Sequence, residues 1–280
     1  MMDRMRPPTL ASPSNPRVKA VARLRERRTR ESAGLTVVDG AREVRRAIEA
    51  GAEVVEAFLC ESLLGGSDAR AALDALLQRG TPLTSTTEAA FAKIAFGERV
   101  EGIVAVVRAP STDLAALAVL ADPLIVVVED VEKPGNLGAI LRSADGAGAD
   151  ALIAASPRTD LANPNVIRAS AGTVFTVPLA AAPTPDVLAW LRARQVRIVA
   201  ARVGGGRTYT DADMRGPLAI ALGSEADGLS EAWQGADIEP IHLPMHGIAD
   251  SLNVSVTAAV LLYEARRQRD RHATDGDMSR

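Results

Sequence analysis

Two five-residue runs, at 124–128 and 218–222, are apolar at every position, and they constrain the fold more than any other feature. A strand with one wet face alternates apolar and polar side chains. A strand that is apolar throughout must be covered on both faces, as in a parallel sheet flanked by helices. Strand-like and helix-like patterns alternate around these runs. After 124–128 come a helix at 137–146, a strand at 151–155, a helical turn near 165–171, a strand at 174–178 and a helix at 186–194. Strands at 196–201 and 218–222, a helical turn at 230–234, a strand at 238–243 and a last helix from Ser251 complete the series. The spacing predicts an α/β domain with a largely parallel sheet over 122–271, followed by a disordered tail at 272–280.

A second, smaller α/β unit is expected upstream at 31–108. It has strands at 35–38, 54–60, 82–86 and 102–107 and helices at 41–50, 68–79 and 88–96. Residues 109–121, with Pro110 and Pro123 at the edges, read as the linker between the two. No internal repeat is present.

The net charge of −3 argues against indiscriminate nucleic-acid binding, but it conceals an asymmetry. Residues 1–30 hold nine Lys/Arg and two acids (+7), so the remaining 250 carry 23 basic and 33 acidic residues (−10). Residues 1–16 contain four prolines, ending in the turn Ser14-Asn15-Pro16. One basic amphipathic helix is expected from Val18, with Val18, Val21 and Leu24 on one side. Arg23, Arg25, Arg27, Arg28 and Arg30 are spaced too closely for burial in one core, so they are expected to contact phosphates from a basic arm over 1–30. Charge alone leaves a solvated, idle terminus as the alternative.

No uninterrupted apolar run approaches the roughly 20 residues of a membrane span, and the charged N-terminus has no apolar core behind it. A cytoplasmic protein without membrane contact is expected. The single cysteine, Cys60, excludes an internal disulfide and lies in the apolar run 54–60. His242 and His246 are separated by Pro244 and share no helical face, so no metal site is expected. Gly135-x-x-Gly138 lacks dinucleotide-binding spacing. Gly204-Gly205-Gly206 is not followed by Lys-Ser/Thr, and reads as a turn.

Three stretches carry polar residues where packing does not call for them. In 129–149, Asn136 can cap a helix, Gly138 permits close approach of another segment, and Arg142 stands among Ile140, Leu141 and Ala144. The arginine reads as a structural ion pair or a snorkelling surface group. In 222–230, Gly223 lets backbone approach a ligand and Glu225 stands where a strand opens into a loop, although Gly-Ser-Glu also reads as a plain turn. In 241–259, an apolar run ends in Leu243-Pro244-Met245. A loop with Gly247 and Asp250 then leads to a helix that Asp250 or Ser251 can cap. Leu252, Val256, Ala259, Val260 and Tyr263 recur at helical spacing along it, which fits an ordinary packed helix. Asn253, Ser255 and Thr257 crowd its first turns with backbone-competing side chains, which points to a ligand or a backbone crossing.

Taken in order, Asn136-x-Gly138-x-x-x-Arg142, Gly223-Ser224-Glu225-x-x-Gly228-Leu229 and Leu243-Pro244-Met245…Ser251-Leu252-Asn253-Val254-Ser255 resemble the three signatures of the SpoU (TrmH-type) RNA 2′-O-ribose methyltransferases. Two positions depart from the pattern: Ser224 replaces the common Asn, and Asp250 stands where Glu or Ser is frequent. The resemblance implies a trefoil-knotted sheet that binds S-adenosylmethionine, with Leu222, Gly223, Leu243, Pro244, Met245, Ser251, Leu252 and Asn253 at the cofactor. It implies Arg142, Asn136, Glu225 and Asn253 as the catalytic set. It also implies a homodimer through the final helix, where Val260, Leu261 and Leu262 are apolar on more than one face. The N-terminal region resembles, more weakly, the family's ribosomal-protein-like RNA-binding module, with turns at Gly40 and Phe96-Gly97, which implies that the phosphates met by the basic arm are those of RNA. The implied reaction is 2′-O-ribose methylation of RNA, 23S ribosomal RNA being the expected substrate and no metal being needed. Transfer RNA is the alternative substrate, and a non-catalytic RNA-binding protein with a retained knot is the alternative of a different class.

Overall fold

The computed structural model describes residues 9–96 and 101–277, with side chains as far as 271. Arg4 and Arg6 of the basic segment, Gly97 and residues 278–280 lie outside the described residues; 272–277, expected in a disordered tail, instead continue the final helix. The chain forms two compact units. One takes the described residues up to Pro110 together with Asp160–Thr176; the other takes Ser111–Thr159 and the chain from Val177 onward.

The first unit runs β1 (Thr9–Leu10), α1 (Pro16–Arg23), α2 (Arg27–Ala33), β2 (Leu35–Asp39), α3 (Ala41–Glu49), β3 (Val54–Leu59), α4 (Gly66–Gln78), β4 (Leu83–Thr86), α5 (Glu88–Ile94) and β5 (Ile103–Arg108). Its sheet has the order β1-β4-β3-β5-β2. β1 and β3 lie parallel to β4, and β5 lies antiparallel to β3 and β2.

The N-terminal segment corrects two expectations. It is two helices rather than one, and it is built into the core. Asn15 caps α1 by accepting from the Arg17 amide at 2.9 Å, and Pro16 follows with its φ preset for the first turn. Val18, Val21 and Leu24 are buried with Phe58, Phe91 and Val104. The helix stops because the buried Arg30 reaches back. Its Nη1 donates to the carbonyls of Leu24 (2.9 Å) and Arg25 (2.6 Å), groups left without helical partners, and its Nη2 pairs with Asp160 at 2.5 Å. Arg30 therefore serves folding and is withdrawn from the RNA-contacting set. The other four arginines of that set are exposed. Of these, Arg25 is held on the Lys93 and Ala95 carbonyls and stacks over Phe96, and Arg27 pairs with Glu31.

The second unit continues β6 (Leu124–Glu129), α6 (Pro134–Gly146) and β7 (Ala151–Ala155). The chain then leaves for α7 (Pro164–Ala169), which belongs to the first unit, and returns as β8 (Leu179–Ala182), α8 (Thr184–Ala193), β9 (Arg197–Ala201), β10 (Arg207–Thr208), β11 (Leu218–Leu222), β12 (Ile238–His242) and α9 (Val254–Asp277). The seven strands are parallel in the order β10-β12-β9-β11-β6-β7-β8. One face packs Ile125, Val127, Ile153 and Ile198 against Val187 and Leu191 of α8 and against Trp233. The expected strand at 174–178 is instead a 3-10 turn at Thr173–Phe175, and the strand is β8, whose Leu-Ala-Ala-Ala sequence gives no strand signal. The stretch at 109–121 is more than a linker, because Leu117 is buried in this core and the Ala181 amide donates to the Thr112 carbonyl at 2.8 Å.

In Asp160–Thr176 the Ala162 carbonyl accepts from the buried Thr36 hydroxyl at 2.6 Å. Arg168 pairs with the buried Asp39, and the Ala171 carbonyl accepts from Arg46 at 2.7 Å. No helix among the described residues is long and apolar enough to cross a membrane.

In this strand order β12 lies between β9 and β10, so the five residues 202–206 that join β9 to β10 must arch across β12. Gly206 has φ +71°, and a Cβ there would overlap the Pro240 carbonyl; Gly204 has φ +67° and open space around it. We expect Gly206→Ala to cost on the order of 3 kcal/mol, from strain and overlap together. Gly204→Ala should cost about 1 kcal/mol from strain alone. Chemical denaturation of the two variants checks the difference.

Candidate active site

The parallel strands β11, β9 and β12 are neighbours and end at Leu222, Ala201 and His242. In open α/β sheets the ligand crevice lies outside the carboxyl ends of the strands, among the loops that leave them. Here that crevice is a cleft of about 980 Å³. Leu222, Gly223, Leu243, Pro244, Met245, Ser251 and Leu252 line it, together with Arg202, Ser224 and Asp250. Asn253, the eighth residue expected at the cofactor, does not line it.

Asn253 does two other things. Its Oδ1 accepts from the Ser255 amide at 2.9 Å and the Ser255 hydroxyl at 2.6 Å, and its carbonyl accepts from Val256 and Thr257. It is therefore the cap of α9, which starts at Val254; Asp250 and Ser251 stay in the loop. Its Nδ2 donates to Asn136 Oδ1 at 3.3 Å, and Asn136 Nδ2 donates to Glu225 Oε1. Three of the four residues expected to be catalytic thus form one hydrogen-bonded chain across the carboxyl ends of the sheet. Asn136 is not a cap: α6 begins at Pro134 with no side-chain cap, and the amide points outward to Glu225.

Arg142 stands apart from this chain. It is exposed on α6, between buried Leu141 and Ala144, and neither the structural ion pair nor any other polar partner is found for it among the described residues. The final helix also differs from expectation. Leu261 and Leu262 are buried in the core, whereas Val256 and Tyr263, with Leu252 just before them, form the exposed apolar face.

The loop 223–230 is folded tightly on itself. Gly223 approaches Gly228 so closely that a Cβ would overlap its backbone. Ser224 closes the turn, its hydroxyl accepting from the Asp227 amide at 3.1 Å and its carbonyl from Gly228 at 3.0 Å. Two residues that the sequence reading did not single out hold its end. Glu129 accepts from the Ser230 amide (2.8 Å), the Ser230 hydroxyl (3.0 Å) and the Thr184 hydroxyl (2.6 Å). Burial pushes its carboxyl up, but these donors outweigh burial and hold it below its ordinary value. Arg202 donates to the carbonyls of Leu229 (3.2 Å) and Ser230 (2.8 Å). An acid ending an apolar strand, at the head of the run Glu129-Asp130-Val131-Glu132, was the only signal for Glu129, and a single arginine after a strand carried none for Arg202.

Comparison with known proteins identifies the family and the fold. Residues 123–263 match the SpoU rRNA Methylase family, and residues 15–105 match an MRM3-like substrate binding domain. A 23S rRNA (uridine(2479)-2'-O)-methyltransferase from Streptomyces viridochromogenes is 38% identical over 173 residues, 60% of each chain. A crystal structure described as an RNA 2'-O ribose methyltransferase is 41% identical, with a TM-score of 0.82 over 93% of this chain and 98% of that one. The AdoMet-bound rRNA methyltransferase from Sinorhizobium meliloti is 28% identical, with a TM-score of 0.83 over 92% and 97%. The fold thus agrees with these relatives, and the family match spans all three stretches singled out in the sequence: the chain belongs to the SpoU rRNA methylase family.

Proposed function

We propose that the protein methylates a ribose 2′-hydroxyl of 23S ribosomal RNA, using S-adenosylmethionine, in the cytoplasm. The observation that carries the reading is the cleft at the carboxyl ends of β11, β9 and β12 with the Glu225–Asn136–Asn253 chain beside it. The cleft fits the cofactor: Leu222, Leu243, Met245 and Leu252 give it apolar walls, Gly223 and Gly247 expose backbone groups, and Glu225, Asp227 and Asp250 supply carboxylates for a cationic ligand. When bound, S-adenosylmethionine would supply an electrophilic methyl group for transfer to the hydroxyl oxygen, with S-adenosylhomocysteine as the leaving group and the hydroxyl proton passing to solvent.

What the chain adds is alignment and charge. Guanidinium groups stay protonated in proteins. Arg142 is therefore assigned to holding the RNA phosphate and the 2′-hydroxyl in line and to stabilising developing alkoxide charge. That no partner for it is found among the described residues supports the assignment, because a structural arginine would be paired. Asn136 keeps Glu225 from rotating, and Asn253 fixes the Asn136 amide.

Three further features belong to this reading. A trefoil knot is supported by the placement of β12 beneath the 202–206 arch and by the return of α9 to α6. There Arg266 donates to the carbonyls of Ala147 (2.8 Å) and Gly148 (2.9 Å). A homodimer is supported by the exposed Leu252, Val256 and Tyr263. RNA binding by the first unit is supported by its match to a substrate binding domain and by the exposed Arg23 and Arg28.

Incubation with labelled S-adenosylmethionine and total RNA should place label on a 2′-oxygen of 23S RNA; label on transfer RNA alone, or none, rejects the reading. Arg142→Lys keeps the charge and loses the planar fork. Its single-turnover rate should fall nearly as far as that of Arg142→Ala, with both variants keeping fold and cofactor binding. Deleting residues 1–30 would remove part of the first unit's core, so phosphate contacts are better tested by Arg23→Ser with Arg28→Ser. The slope of log affinity against log salt should become shallower by about 1.5. Light scattering should give twice 29.3 kDa at micromolar concentration; the monomer mass rejects the dimer.

A further inference from the structure

One peptide group in the second unit is gripped from two sides by residues of opposite charge. It joins Leu229 to Ser230, where the 223–229 loop ends. Glu129 Oε2 accepts its N–H, and Arg202 Nη1 donates to its carbonyl. The same two side chains also take the Ser230 hydroxyl, on Glu129 Oε1, and the Ser230 carbonyl, on Arg202 Nη2. The upstream end of the loop is anchored in β11. The downstream end has no strand or α-helix to hold it, only the 3-10 turn Glu231–Trp233. Residues 225–228 in between are exposed.

We propose that Glu129 and Arg202 are positioning residues for methyl transfer. By fixing Ser230 they hold the shape of the whole loop, and so keep Gly223 open to the cleft and Glu225 in reach of Asn136. A carboxylate suits the inner position because it accepts on both oxygens and brings no donor of its own, while three donors converge on it. Glu129 is also the last residue of β6, five positions before α6 begins at Pro134. A single buried side chain therefore ties the entrance of the helix bearing Asn136 to the loop bearing Glu225. Arg202 performs the complementary task on the carbonyl side, where its fork reaches two successive oxygens.

The role in transfer rests on the methyltransferase reading; the grip itself does not, and the two are tested separately. Hydrogen exchange of the cofactor-free protein reads the grip. Glu129→Ala and Arg202→Ala should each speed exchange across 223–230 by about tenfold, leaving the amides of β6 and β11 unchanged. Glu129→Gln should stay near wild type, because its oxygen can accept the Ser230 amide while its NH₂ donates to the Thr184 and Ser230 hydroxyls. Should Glu129→Ala fail to fold, the half-buried Arg202 still carries the test. Calorimetry should show S-adenosylmethionine affinity falling about tenfold in both alanine variants and recovering in Glu129→Gln. The loss of single-turnover rate in Glu129→Ala should largely vanish in a Glu225→Ala background, because the two act through one loop, whereas general destabilisation would add. Exchange within twofold of wild type in both alanine variants overturns the grip. Faster exchange with unchanged cofactor affinity and rate overturns the role in transfer. A wild-type protein that neither binds S-adenosylmethionine nor methylates RNA overturns the reading on which that role depends.

Discussion

The arch of residues 202–206 across β12 is the constraint on which the rest of the second unit depends. Parallel strands sit about 4.8 Å apart, so the arch covers roughly 10 Å in five residues. It does so only because Gly206 leaves room for the Pro240 carbonyl. With the arch in place, β9, β12 and β10 end at one level, and His242 Nδ1 meets the Gly205 carbonyl at 3.1 Å. The chain beyond His242 leaves the sheet close to the loop from β11. That proximity brings 243–253 opposite 222–228 and makes a cleft out of what would otherwise be a row of separate turns.

The chemistry of the site follows from how few of its polar groups are free. Asn253 spends its carbonyl and Oδ1 on starting α9, so only Nδ2 remains for Asn136. Asn136 in turn uses both ends of its amide, and Glu225 receives what is left. Side chains committed in this way cannot search for partners, so the three are held in one arrangement. Arg142 is the exception, a long cation on a rigid helix with no protein partner among the described residues.

Much of this was legible in the sequence, and the parts that were not have physical reasons. Strands 151–155 and 218–222 appear with the expected limits because burial on both faces demands an unbroken apolar run. The β8 strand was missed because alanine favours helix and edge strands need little packing. The three signatures located the cleft, but the start of α9 at Val254 turns on the hydrogen bonds of one asparagine side chain. Arginine spacing suggested a solvated arm. It could not show that Arg30 turns inward, because the carboxylate it meets, Asp160, lies 130 positions away. Local pattern carries no information about such partners.

That distant partner bears on the order in which the molecule can assemble. The first unit is not a contiguous piece of chain: Asp160–Thr176 supplies the counter-charge for Arg30, the acceptor for the Thr36 hydroxyl and the cation beside Asp39. A nascent chain that has emerged only as far as β5 carries all five strands of that sheet and none of these three partners. Completion of the N-terminal unit therefore waits on translation of β6, α6 and β7. Synthesis and folding, which for a chain of separable domains proceed together from the N-terminus, are here interleaved.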